Sequence, residues 1–311
     1  MYYVAHRLFA AHDRRIGGLA AAALADRIGE DQIFLPFCDT DEENLHADVK
    51  GRRLYELDRE RLDHLDGMLA ILHGPSLDDG VCMEIGYAAH RGVPVVVLTT
   101  DFQTYGGSEQ GPELAFPDPL LQLVAPQIIR APRLGPLRAG RNRFTTYMSR
   151  NDDQLQAAVD RAVDALVGTI RLPAGTRPAG DPTTAFYEPN PYAPCDTARA
   201  TTIAGIPVAN TVSASRHGAS ADPSASARND WDALHRAGTL LVDVRGPETP
   251  PGAAIMIGAS RATGRRIIVL TNAGGWTFAD GREPNYRNLM IQYAADQRHE
   301  LAWREPTGRR S

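Results

Sequence analysis

Residues 66–99 read DGMLAILHGPSLDDGVCMEIGYAAHRGVPVVVLT. The run Gly67–Leu72 is apolar without alternation, as expected of a strand covered on both faces. Gly80–His90 reads as a helix starting just after the acids Asp78 and Asp79, and Val93–Thr99 as a second buried strand. Strand, helix and strand in this order imply a parallel sheet with crossover helices. The unit then recurs. Residues 238–271 read GTLLVDVRGPETPPGAAIMIGASRATGRRIIVLT, at a constant offset of 172 and without a gap. Gly74, Gly80, Gly86 and Gly92 fall on Gly246, Gly252, Gly258 and Gly264, and Val97-Leu98-Thr99 on Val269-Leu270-Thr271. In that register Asp66, Asp78 and Glu84 become Gly238, Pro250 and Met256. Both copies keep the glycines and one keeps the carboxylates, so chemistry is expected in the first half and support from the second.

Outward from the first copy, Tyr2–Ala5 is β-prone, and Arg14–Ile28 is an Ala- and Leu-rich helix with Gly29 as its C-cap. Gln32–Phe37 reads as a buried strand closed near Pro36, Leu54–Leu65 as a polar-faced helix, and Asn151–Val167 as an amphipathic helix that closes the lobe. Residues 172–185, rich in Pro, Gly and Thr, read as a linker. Phe186–Pro189 reads as the next strand, and 211–229 as a loop of small polar residues. Around the second copy come a helix at Asp230–Ala237, a strand at Thr239–Val244, a helix at Gly252–Ala262 and a strand at Arg266–Thr271. No long helix there matches residues 14–28. The expected architecture is α/β: two flavodoxin-like or Rossmann-like three-layer lobes with mainly parallel sheets, residues 1–171 and 186–311, the second degenerate.

Bulk properties narrow the function. A length of 311 residues suits two domains. The net charge of −5 argues against a nucleic-acid polymer as partner. Cys38, Cys82 and Cys195 are odd in number and lack metal-type spacing, which fits a reducing compartment and a cytoplasmic protein. The opening MYYVAHRLF has no signal-peptide character, and no apolar run is long enough to span a membrane.

Ligands bind at the carboxyl ends of the strands in such sheets. Tyr3 lies on the first strand, Asp66 at the entry to the third, and Asp78, Asp79 and Glu84 follow that strand, with Gly80 giving the loop room. A carboxylate pair suits chemistry at an acetal-like carbon: one carboxylate attacks the anomeric centre and a second, protonated, serves the leaving group. The plainer alternative is that Asp78 and Asp79 only cap a helix and Glu84 is a solvated helix residue.

The segments YVAHRLF, IFLPFCD, LDGMLAIL, DDGVCMEIGYA and VPVVVLTTD resemble, in this order, those of the nucleoside 2-deoxyribosyltransferases. The resemblance covers about residues 2–130 and is weaker in the second lobe. It implies Glu84 as the nucleophile at C1′, Asp66 and Asp78 as the acids that bind the base and handle its proton, and Tyr3 as the phenol holding the nucleophile. It also implies Phe9 in the base pocket and neither a metal nor an organic cofactor. In that family a neighbouring subunit completes the site through an Asn-Leu-Met segment. Here Asn288-Leu289-Met290 stands in the second lobe, while the matching first-lobe stretch ELAFPDPLLQ lacks it. The resemblance thus implies an internal pseudo-dimer, with Asn288 at the sugar's 5′ side, Met290 on the pocket wall, and pairing into larger homo-oligomers left open. The partners implied are a small-molecule nucleoside or nucleotide and a nucleobase.

One departure matters. His6 and Arg7 fill a loop that is small in typical members, with His12, Arg14 and Arg15 close behind and Asp39 among nearby acids. A cationic loop there suits a phosphate, and hence a hydrolase of nucleoside 5′-monophosphates; solvation or pairing with Asp13 and Asp39 is the plainer alternative. A non-catalytic nucleotide-binding or sensing protein is the third reading. Cys82 reads as packed rather than reactive, His73 and His90 as helix-end or surface residues rather than ligands, and Trp276 and Trp303 as core or lobe-interface anchors.

Overall fold

The apolar runs lie side by side in two sheets. The computed structural model describes residues 1–40, 50–74, 76–106, 112–135, 142–169, 180–192, 201–218, 222–246, 248–272 and 285–300. Lobe one runs β1 (Tyr2–Ala5), α1 (Ala11–Ile28), β2 (Ile33–Phe34), α2 (Lys50–Leu62), β3 (Gly67–Leu72), α3 (Asp79–His90), β4 (Val95–Thr99), α4 (Pro119–Val124), β5 (Gln127–Arg130) and α5 (Arg143–Val167). Its strands are all parallel, in the order β2-β1-β3-β4-β5. Side chains alternate between faces: Val4, Leu69, Ile71, Val96 and Leu98 pack under α1 and α5, while Tyr3, Met68, Ala70 and Val97 face α2 and α3. Helices on both faces make this lobe a three-layer α/β sandwich.

Lobe two runs β6 (Asp181–Glu188), β7 (Thr202–Ile203), β8 (Ile206–Pro207), β9 (Thr211–Ser213), α6 (Pro223–Arg236), β10 (Ala237–Asp243), α7 (Pro251–Ala262), β11 (Arg266–Thr271), α8 (Leu289–Ala294) and β12 (Gln297–Glu300). The parallel sheet β9-β6-β10-β11-β12 repeats the order of lobe one. The antiparallel pair β7–β8 stands where α1 would be, and Ile203, Ala204 and Ile206 cover Tyr187, Leu241, Ile268 and Leu270. That replacement accounts for the missing Ala/Leu helix.

The lobes meet through α3 and α7. A Cβ on Gly86 would collide with the carbonyl oxygen of Ile255, and one on Gly258 with that of Met83. These contacts are reciprocal in the 172-residue register, so the lobes relate by a pseudo-two-fold axis with an isologous interface. One apolar core runs through it, from Tyr3 and Leu72 to Phe186 and Val242. The repeated glycines at these two positions thus serve helix approach. Among the described residues no helix is long and apolar enough to cross a membrane.

Several boundaries differ from those expected. β2 holds two residues rather than six, because Pro36 offers no amide to a ladder and Phe37 turns to a φ of 67°. α2 begins and ends earlier than 54–65. α5 begins at Arg143, well before Asn151, where the Oδ1 of Asn142 accepts from the Phe144 and Thr145 amides at 3.1 and 3.2 Å. β6 starts at Asp181, inside the expected linker: Asp181 pairs with Ala237 of β10, and after a register shift the ladder resumes from Ala185 opposite Thr239. The expected loop 211–229 contains β9 and the first half of α6. Asp222 caps that helix by accepting from Ala225 N at 2.9 Å, and Pro223 opens it. Residues 172–179, Cys195, Trp276 and Trp303 lie outside the described residues.

Candidate active site

β1 and β3 are neighbours whose connections leave in opposite directions, which makes their carboxyl ends the switch point of the sheet. Tyr3 on β1 and Glu84 on α3 meet on the α2–α3 face of this strand pair. The Tyr3 hydroxyl donates to Glu84 Oε1 at 2.7 Å. Tyr3 is fully buried and Glu84 only 7% exposed. Burial lifts the Glu84 carboxyl well above its ordinary range and the charge of Asp58 adds to this, while the Tyr3 hydrogen bond favours the anion. The Tyr3 phenol is likewise raised, by burial first and then by Glu84 and Asp58.

Asp58 was not among the residues that the sequence singled out. It stands on α2 in line with the buried Leu54 and Leu62, at helical spacing. The signal was there: an acid on the apolar face of a helix. Asp66, to which the resemblance gave an acid role, lies elsewhere. It precedes β3, at the amino end of that strand. Its carboxylate pairs with the chain's own N-terminal ammonium, and its side chain is 57% exposed.

Asp78 caps α3, accepting from Val81 N at 2.9 Å. Its other oxygen accepts from Arg7 Nε at 3.4 Å, and Arg7 Nη2 also donates to Glu248 Oε1 of lobe two at 3.3 Å. Glu248 in turn accepts from Ser76 Oγ. Asp79 accepts from Thr249 N at 3.3 Å, and burial with the charge of Asp78 raises its carboxyl to about 6. Gly80 makes room for the second lobe: a Cβ there would lie 2.7 Å from Asn288 Nδ2 and 3.1 Å from Asp78 Oδ1. Asn288 Oδ1 accepts from Met290 N at 2.9 Å and so caps α8, aiming its amide nitrogen at Gly80, while Met290 is buried in the shared core.

The remaining expected residues are dispersed. His6 is buried against Gly17 with Nδ1 2.7 Å from the Arg7 carbonyl, and burial lowers its pKa. Phe9 is 77% exposed rather than set in a pocket wall. Asp39 accepts from Leu35 N at 2.7 Å and closes the turn after β2. Arg14 donates to the Leu8 and Phe9 carbonyls, each at 2.9 Å, and Arg15 pairs with Asp152. Cys82 is fully buried, with its thiol raised by burial, in keeping with a packing role. His90 closes α3, as expected of a helix-end residue, and its Nδ1 lies 2.9 Å from His235 Nε2 across the lobes.

The pseudo-symmetric counterpart of this site is filled. Phe186 pairs with Leu240 as Tyr3 pairs with Met68, so the phenol hydroxyl is lost, and Met256 replaces Glu84. The fully buried Arg216 binds Glu188 at 2.6 Å, Asp118 at 3.0 Å and Asp230 at 3.3 Å. Burial alone would lower its pKa; the charges of Asp118 and Glu188 more than offset that. Asp118 comes from lobe one and caps α4, accepting from Leu120 N at 2.9 Å, as Asn288 caps α8. A Cβ on Gly252 would collide with Asp118 and Arg216.

Fold and site together define a two-lobed α/β protein centred on one buried glutamate held by a phenol. A profile of the family described as nucleoside 2-deoxyribosyltransferase matches residues 2–156. Through this first lobe the chain belongs to that family. It is also similar to a solved structure described as a conserved protein from Enterococcus faecalis V583. The identity is 22% and the TM-score 0.29, over 51% of this chain and 97% of that one. No curated protein matches the chain.

Proposed function

We propose that the chain cleaves the N-glycosidic bond of a deoxynucleoside and transfers the 2-deoxyribosyl group to another nucleobase. The observation that carries this reading is the buried 2.7 Å contact between Tyr3 and Glu84 at the sheet's switch point; family membership supports the general type of activity. Glu84, as carboxylate, attacks C1′ and forms a glycosyl ester. The C–N bonding electrons leave with the base, which takes a proton from an acid in the site. We assign that proton to one of the carboxyls whose charge reaches Glu84, Asp58 or Asp78. The acceptor base then attacks C1′, loses a proton, and the ester opens to restore the Glu84 carboxylate.

Asp78 and the amide of Asn288 flank Gly80, an acceptor and a donor that suit a 5′-hydroxyl. The basic residues that suggested a 5′-phosphate are otherwise committed. Arg7 holds Asp78 and Glu248, Arg14 holds two carbonyls and Arg15 holds Asp152. The neutral nucleoside is therefore favoured over the monophosphate.

The test is chromatography of a deoxynucleoside incubated with the protein, with and without a second free base. New deoxynucleoside is expected only with the acceptor present. Free base released to water at the same rate in both arms would instead make the chain a hydrolase, and no turnover of nucleosides or monophosphates would leave a binding protein. Glu84→Gln should lower the rate at least about a thousandfold, about 4 kcal/mol of barrier.

A further inference from the structure

The first turn of α1 sets His12 and Asp13 against His73, which follows β3. His73 Nε2 lies 2.8 Å from Asp13 Oδ1, and His12 Nε2 lies 3.4 Å from the same oxygen. Among the described residues this is the one group of three whose possible ligand atoms all lie within 4.8 Å of one another. Asp13 is only 1% exposed. Its second oxygen, Oδ2, is buried without a hydrogen-bond partner, and so is His73 Nδ1. Buried carboxylates ordinarily find partners for both oxygens. Here two imidazoles crowd one oxygen and leave the other with nothing, a poor arrangement for a hydrogen-bond cluster but a ready one for a cation.

We propose that His12, Asp13 and His73 form a binding site for a divalent transition metal of the zinc class, which fastens the start of α1 to the exit of β3. Two imidazole nitrogens and a carboxylate oxygen make a borderline donor set suited to Zn²⁺ or Co²⁺. Metal–ligand bonds of about 2.0–2.1 Å in a tetrahedron set donor atoms about 3.3 Å apart; the His12–Asp13 pair already has about that spacing, the His73–Asp13 pair needs to open by about half an ångström, and the two imidazole nitrogens lie within 4.8 Å. The 74% exposed side chain of His12 leaves the fourth position open to water. The nearby Arg14 guanidinium is held by the Leu8 and Phe9 carbonyls. The site stands on the α1 face of the sheet, away from the face that carries Tyr3 and Glu84. Its existence does not depend on the glycosyl-transfer reading.

The experiment uses the untagged full chain, stripped with chelator and dialysed. Zn²⁺ is titrated by calorimetry, and Co²⁺ is followed by its visible d–d absorption. One equivalent should bind in the micromolar range or tighter, with a tetrahedral Co²⁺ spectrum and a raised thermal midpoint. His73→Ala and the surface substitution His12→Ala should each weaken binding at least about tenfold, while His64→Ala, remote from the cluster, should leave it unchanged. Absence of one-equivalent binding up to about 1 mM metal, an affinity of only about 4 kcal/mol, would overturn the proposal. So would binding that survives both substitutions.

Discussion

Tyr3, Asp78 and Glu84 were legible as candidates because they sit in a motif with the right order, and the structure sets Tyr3 against Glu84 with the charge of Asp78 acting on it. Asp58 and Asp66 were not separable that way. Both lie in the acid-rich stretch ELDRERLDHLD, and only the phase of α2 tells which one faces inward. Asp58 aligns with buried Leu54 and Leu62, whereas Asp66 lies beyond the helix, at the amino end of the central strand β3. The two therefore predict opposite outcomes. Asp58→Asn should lower kcat/KM about a hundredfold or more, in the range of a lost proton-transfer group. Asp66→Asn should stay near wild type in activity, losing at most about 1 kcal/mol of an exposed ion pair. Steady-state kinetics of the pair decides: an Asp58→Asn variant near wild type would remove Asp58 from the mechanism.

Most helices and strands could be read from apolar runs and caps, and the errors share a physical source. The expected loop at 211–229 was judged by its small polar residues, yet its Asp222-Pro223 pair is a helix-start signal, and partners across the fold, such as Tyr187 for Ser213, set the rest. The short α4, β5, α8 and β12 carry little periodicity of their own and form only because the neighbouring sheet and helices receive them. The α3–α7 crossing, by contrast, was marked by paired glycines whose reason only packing reveals. Gly86→Ala should destabilise the chain by about 1–3 kcal/mol, since the obstacle is a backbone carbonyl that cannot rotate away. Gly18 lies in the interior of α1, where a Cβ meets nothing within 4 Å. Gly18→Ala should therefore stabilise by up to about 1 kcal/mol. Equilibrium denaturation of both variants checks the sign; a Gly86→Ala variant as stable as wild type would refute the close-packed crossing.

At the scale of the whole molecule, the duplication was plain in the sequence, while the closing of the second site was not. Arg216 gathers acids from distant parts of the chain, and nothing local marks it. Asn288 reaches the first site from the other lobe, and one substitution isolates that contribution. Asn288→Asp keeps an acceptor to cap α8 but exchanges the amide for a carboxylate beside Asp78. Catalytic efficiency should fall about tenfold to a hundredfold, within the range for a lost hydrogen bond plus an added like charge. The unfolding midpoint should move little; unchanged kinetics would separate lobe two from the site.

The reciprocal packing of Gly86 and Gly258 limits what a fragment of this chain can become. Lobe one alone would expose the α3 face, and the surface best shaped to cover it is another copy of itself. Such a symmetric pair would set Asp118, the counterpart of Asn288, beside each Gly80, so each Asp78 would meet an anion instead of an amide. Fusion therefore lets two positions that one gene for a homodimer must keep identical carry different residues. On the proposed reading the composite centre is asymmetric by inheritance, at one per polypeptide, and cutting the chain in half would not yield two smaller enzymes.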